Sequence, residues 1–158
     1  MVRRWAWGAG LAAVVAAVVA VAGAVYWGKS RPVAPDPNDA ALVAEGRAVY
    51  GAQCASCHGA DLEGQPNWRE RKPDGRLPAP PHDASGHTWH HPDHLLLAMT
   101  REGVAALAPA GYESDMPAFK GALSEREIAA VIAYIKSRWP ADIRERQARI
   151  TAQQPAKP

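Results

Sequence analysis

Beyond Cys54 and Cys57 the chain has no cysteine. A four-cysteine zinc site is therefore excluded, because a zinc site on this pair needs two further ligands at matching spacing and no second Cys pair exists. A stapling disulfide is excluded as well, since a bridge between residues three apart is strained and closes almost no loop. A thioredoxin-like dithiol wants a preceding strand and a βαβ pattern, whereas the flanks here are alanine-rich and helical. Charge of one sign is also missing. The formal net charge is +2 over 158 residues, with arginines scattered among carboxylates, so there is no basic stripe for nucleic acid. No internal repeat is visible.

Long apolar runs are scarce too, apart from one. Residues Trp5 to Trp27 carry no charge and are rich in Ala and Val. At about 1.5 Å per residue a helix of that length crosses a bilayer. Arg3 and Arg4 precede it, which favours a cytoplasmic N-terminus. Trp5 and Trp7 at one end, with Tyr26 and Trp27 at the other, suit the two aromatic belts of a membrane. Residues 1–30 are thus expected to be a membrane anchor or a signal segment, a retained anchor being preferred to a leader cleaved after Ala22 or Ala24. Residues 31–38 read as a proline-rich tether, 39–139 as one small domain, and 140–158 as a C-terminal extension or tail.

What is present at the centre is Cys54-Ala55-Ser56-Cys57-His58. Cys-x-x-Cys-His is the spacing at which two thiols add across the two vinyl groups of one haem while the adjacent imidazole reaches the iron. With no other cysteine, at most one haem can be attached in this way.

Around the motif the elements are helical. Asn38 or Asp39 caps a first helix from Ala40 to about Gln53, with Leu42, Gly46, Val49 and Gln53 on one face and Tyr50 beside them. Gly46 costs that helix about 1 kcal/mol relative to Ala, which makes sense if another helix crosses close to its backbone. From Gly59 to Pro81 glycines and prolines exclude a long helix. Arg69, Arg71, Lys72 and Arg76 there read as a solvated loop. Pro92 opens a helix to about Arg101, and Leu95, Leu96 and Met99 give it an apolar face. Ser124 and Glu127 form a capping box before Ile128, Val131, Ile132 and Ile135, and Pro140 closes that last strongly patterned helix.

His58 fills one pole of the iron, and Met116 is the candidate for the other. It lies well downstream in a loop, is stiffened by Pro117, and precedes the capped helix. Met99 is expected to pack in the core instead. With Gly46, Tyr50, Cys54 to Gly59, Met116 to Phe119 and the Leu123 to Ile135 segment, the sequence resembles the class I c-type cytochromes over about Ala40 to Trp139. The resemblance implies an all-α cytochrome c fold of several helices around one covalent haem c, here with an N-terminal transmembrane helix. It implies axial ligands His58 and Met116, a contact between Gly46 and Tyr134 where the first and last helices cross, and a proline carbonyl (from Pro78, Pro80 or Pro81) on the other ring nitrogen of His58. A Met ligand raises the reduction potential, and a six-coordinate iron leaves no open site. The expected function is one-electron transfer rather than enzyme catalysis, with no small-molecule substrate. Small redox interfaces would serve a quinol-oxidising complex as donor and a terminal oxidase or reductase as acceptor. The expected location is the bacterial inner membrane with the haem domain in the periplasm, or the soluble periplasm if the leader is cut.

His82, His87, His90, His91 and His94 crowd one loop. Of these, His87, His90, His91 and His94 are candidates for a second metal, copper or zinc, though histidines also cap helices or face water. The alternatives to an electron carrier are thus a haem protein with an exchangeable sixth ligand, enzyme or gas sensor, and a copper accessory protein using that loop.

Overall fold

The first helix starts where a side chain can cap it. Asp39 is extended, and its carboxylate accepts from the backbone N–H groups of Ala41 and Leu42, both at 3.0 Å. That satisfies two donors a helix leaves free at its start. The computed structural model describes residues 33–156 together with Ala13, Ala17 and Val18. The chain divides into two units, Met1–Pro32 and Val33–Pro158. Apart from Ala13, Ala17 and Val18, the expected membrane span and its flanking charges lie outside the described residues. No helix among the described residues is long and apolar enough to cross a membrane.

Within the second unit, α1 runs Ala40–Gln53 and α2 is a single turn, Ala55–His58. An irregular stretch follows, ending in a 3-10 turn at Thr88–His90. α3 spans Asp93–Glu102 and stops at Gly103, whose φ is +80°. After a second 3-10 turn, Val104–Ala106, a loop leads to α4, Glu125–Ser137. Both halves of the expected capping box are formed between Ser124 and Glu127. α5, Ala141–Gln153, starts directly after Pro140. The described residues form no strand beyond an isolated bridge between Lys120 and Leu123, so the domain is all-α as expected.

α1 and α4 make the most extensive helix–helix contact in the unit. They cross at Gly46, where a Cβ would lie 1.9 Å from the Ala130 carbonyl oxygen and 2.9 Å from Tyr134 Cβ. The expected partner Tyr134 is there, with the Ala130 backbone closer still. Beside the crossing, the Tyr50 and Tyr134 rings sit 5.4 Å apart. The apolar stripe of α4 is buried throughout: Ile128, Val131, Ile132 and Ile135 are at most 3 % exposed. Val131, Ile132 and Ile135 join Tyr50, Leu62, Trp89, Leu96 and Trp139 in the main core, and Met99 packs partly buried against it. Gln53, placed on the same face by spacing, is exposed, while Val49 and Cys54 on either side of it pack partly buried against the core.

The segment after Pro140 is tied into the same core. Gln147 on α5 is fully buried, and its amide N–H groups donate to the His91 carbonyl at 3.1 Å and Asp93 Oδ1 at 2.7 Å. Lys136 on α4 reaches both oxygens of Asp93 at 2.8 Å. Three helices thus meet on one carboxylate.

Candidate functional site

Cys54 caps the C-terminal end of α1, with its N–H on the Tyr50 carbonyl at 2.9 Å. Within the next turn the His58 N–H bonds the Cys54 carbonyl at 2.9 Å. This one-turn helix carries Cys57 and His58, with Cys54 as its N-cap. Cys57 is exposed, Cys54 half-buried, and neither sulfur is in a disulfide. Burial pushes the Cys54 thiol up to about 11, with Cys57 adding to the shift. A dithiol working by thiolate attack has the opposite shift at its attacking sulfur.

His58 is 7 % exposed. Its Nδ1 lies 2.8 Å from the Pro80 carbonyl oxygen. A carbonyl can only accept, so Nδ1 carries the proton and Nε2 keeps its lone pair for a metal. Burial holds the imidazole below its usual pKa, partly opposed by Pro80, and so favours the neutral ligand form. Of the three prolines open in the sequence, Pro80 provides the carbonyl. Tyr50 completes the anchoring: its hydroxyl donates to the Gly59 carbonyl at 2.8 Å, fastening the end of the motif back onto α1.

Pro80 is held by the chain running beside it. The Gln65 N–H bonds the Ala79 carbonyl at 2.9 Å, and the His82 N–H bonds Leu62 O at 2.7 Å. Gly64, at φ +70°, faces this segment so closely that a Cβ would come within 2.4 Å of Pro81 N and 2.7 Å of the Pro80 carbonyl carbon. Only glycine lets the proline carbonyl approach. Gly64 and His82 are site residues that sequence reasoning missed. The signal for Gly64 was a glycine two residues after a buried apolar residue in a proline-rich loop, but its pairing with Pro80 required the fold.

His82 lies with its ring against His58, centroids 3.9 Å apart and planes 23° apart. Its Nδ1 is 2.8 Å from Thr88 Oγ1, and its carbonyl accepts from Trp139 Nε1 at 2.7 Å. Burial, with smaller contributions from His58 and His87, pushes its pKa well below the ordinary value.

Met116 is half-buried on a separate segment. Its backbone N–H donates to Ser114 Oγ at 3.1 Å. The residues that follow are pinned to the end of α3, with Phe119 N–H on Thr100 O at 3.2 Å and Lys120 N–H on Arg101 O at 2.9 Å. Upstream, Lys72 and Arg76 pair with Asp115, and Arg76 also with Glu113. The basic loop expected to be merely solvated is therefore latched to the segment that carries Met116.

The remaining histidines do not gather. His87 stacks on Trp68 at 5.4 Å and meets His91 edge-on at 5.6 Å, His90 stacks on Trp89 at 3.7 Å, and His94 is exposed. Among the described residues no three of His, Cys, Asp and Glu are arranged to hold a metal ion. His87, His90, His91 and His94, the candidates for a second metal, are thus not brought together as a ligand set among the described residues. Trp89 packs in the core and is capped by Arg146 at 4.8 Å.

A family model described as Cytochrome c matches residues 43–139. No solved structure matches the chain.

Proposed function

The chain belongs to the cytochrome c family, and from that membership we propose that it is a one-electron carrier whose iron is ligated by His58 and Met116. The family's cofactor is covalent haem c, and Cys54, Cys57 and His58 fit its attachment motif. The residues fit the group on structural grounds too: two uncombined sulfurs one helical turn apart, followed at once by a buried imidazole with Nε2 free. Bound, haem c supplies a one-electron couple.

The chain's own residues do the rest. Cys54 and Cys57 would hold the porphyrin edge. His58 offers Nε2, and Pro80 fixes its tautomer and its distance from the chain. That Nδ1–carbonyl bond carries the proposal, because it is the outer-shell support by which a ligating histidine is oriented and made more basic. Met116 offers a thioether from a segment braced at both ends. Two fixed ligands make electron exchange, with little rearrangement, the natural activity, and a substrate reaction an unnatural one.

We extend the reading to location and partners. The Trp5–Trp27 run with its preceding arginines supports a single-pass anchor in a bacterial inner membrane and export of the haem domain to the periplasm. Redox proteins of the respiratory chain, a quinol-oxidising complex and a terminal oxidase or reductase, are the partners such an anchored carrier would meet. Retention in carbonate-washed membranes supports the anchor, and release into the soluble fraction overturns it in favour of a cleaved leader.

The ligand set is tested by the ferric absorbance band of a methionine–iron bond near the red end of the visible range. It is present in the wild type and lost in Met116→Leu. A band that survives in the variant removes Met116 from the iron. Ferrous wild-type protein whose spectrum responds readily to carbon monoxide would favour an exchangeable sixth site.

A further inference from the structure

We propose that His82 is a positioning residue for His58: its ring, lying flat on the His58 imidazole, sets the plane of the axial ligand about its bond to the iron. The inference rests on the reading of His58 as an axial ligand and adds a residue that fixes how that ligand is turned.

The Pro80 carbonyl holds one atom of His58, Nδ1, at 2.8 Å. One hydrogen bond at the ring edge fixes the tautomer and leaves the ring free to rock about the line it defines. A second ring against its face, 3.9 Å away between centroids and 23° from parallel, removes that freedom. Edge and face are presented by the same short segment, since Pro80 and His82 are two residues apart.

His82 can do this because it cannot turn itself. Its Nδ1 is tied to Thr88 Oγ1 at 2.8 Å, and Thr88 is buried. Its N–H is on Leu62 O at 2.7 Å. Its carbonyl is held by the indole of Trp139, itself 2 % exposed, at 2.7 Å. The neighbouring core of Leu62, Trp89 and Trp139 is apolar. An aliphatic side chain would fill such a site without needing a polar partner. The imidazole of His82, partly buried beside that core, is instead given a dedicated hydroxyl, as polar groups withdrawn from water are when they are kept. Thr88 supplies that satisfaction, and the ring so fixed faces His58.

The plane of an axial imidazole decides how the two dπ orbitals of low-spin ferric iron are split. That splitting is read directly in the electron paramagnetic resonance g-values and in the order of the haem methyl proton shifts. The test uses the full-length holoprotein. His82→Ala is expected to shift the largest g-value beyond its linewidth and to reorder the methyl resonances. His82→Phe, which keeps a ring and loses the Thr88 bond, is expected to restore the wild-type order. Thr88→Val, which frees the His82 ring, is expected to broaden the same signals. Wild-type g-values and methyl order in His82→Ala overturn the inference, as does a Phe variant that behaves like Ala. If His82→Ala does not fold, an unchanged spectrum in Thr88→Val overturns it instead. A wild-type protein that shows no low-spin histidine-ligated iron would sink the proposed function itself, which is a different failure.

Discussion

At Gly46 a single hydrogen atom in place of a methyl group lets two helices cross. The α1–α4 crossing brings Ala130 O within 1.9 Å of where a Cβ would stand. Because the obstructing atoms are backbone, they cannot move aside as a side-chain end would. Gly46→Ala returns about 1 kcal/mol of helix propensity. Overpacking costs about 1–3 kcal/mol and more where backbone must shift, so the clash wins. A net loss of about 2 kcal/mol is expected, seen as a lower urea midpoint with an unchanged slope. A midpoint at or above wild type would mean that the helices separate freely there. This residue was readable in advance, since a glycine inside a helical pattern asks for a close neighbour, and so was the haem motif, whose chemistry depends on local spacing alone. Pro80 was not, because Pro78, Pro80 and Pro81 are equivalent until the chain path past Leu62 and Gly64 turns one carbonyl towards His58. His82 was visible only as one histidine of a cluster, since stacking on a ring twenty-four positions away leaves no local trace.

Elements were readable where their ends carry chemistry. α4 begins at its capping box and α3 ends at Gly103, both as the sequence demands. The two ends are also joined in space: Arg101, in the last turn of α3, donates from Nε to Glu125 Oε1 at 2.7 Å, and a second guanidinium nitrogen reaches Oε2. That hydrogen-bonded pairing holds the Glu125 carboxyl below its usual value of 4.5. A carboxylate lowered in the folded state adds stability above its unfolded pKa and loses it as pH falls through the folded one. Glu125 also stands in the first turn of α4, where negative charge is favourable. Glu125→Gln should therefore melt lower than wild type at neutral pH, and the gap should close as the pH is brought well below 4.5. Both residues are largely solvated, so the gap is small and half-molar salt should shrink it. Equal melting temperatures for the two proteins at pH 7 would leave this contact without a role. α5 was harder to read, because it docks through the Gln147 amide and the partly buried Ile143 rather than through an apolar stripe.

Across the whole domain, the haem-side half and the C-terminal half are coupled through buried polar contacts that no periodicity announces. Lys136 sits on α4 at a position that reads as ordinary helix surface, yet it is 7 % exposed and reaches the Asp93 carboxylate at the start of α3. Gln147 from α5 takes the same carboxylate and the His91 carbonyl. His91 directly follows the 3-10 turn whose Thr88 holds His82, so the network that joins the helices also anchors the loop beside His58. Removing one member of a buried pair strands the other charge, at about 3–5 kcal/mol, whereas replacing both by apolar groups is often near neutral. Asp93 keeps some solvent contact, which moves the expectation to the lower end. Asp93→Ala should therefore cost about 3 kcal/mol. Adding Lys136→Met to that variant should recover most of the loss, giving a coupling energy above about 1 kcal/mol in the double-mutant cycle. Amide exchange should rise in the Thr88–Glu102 region of Asp93→Ala before it rises in α1, because α1 draws its stability from the α4 crossing instead. Additive single losses, with no recovery in the double variant, would show that the three helices are held by their apolar contacts alone.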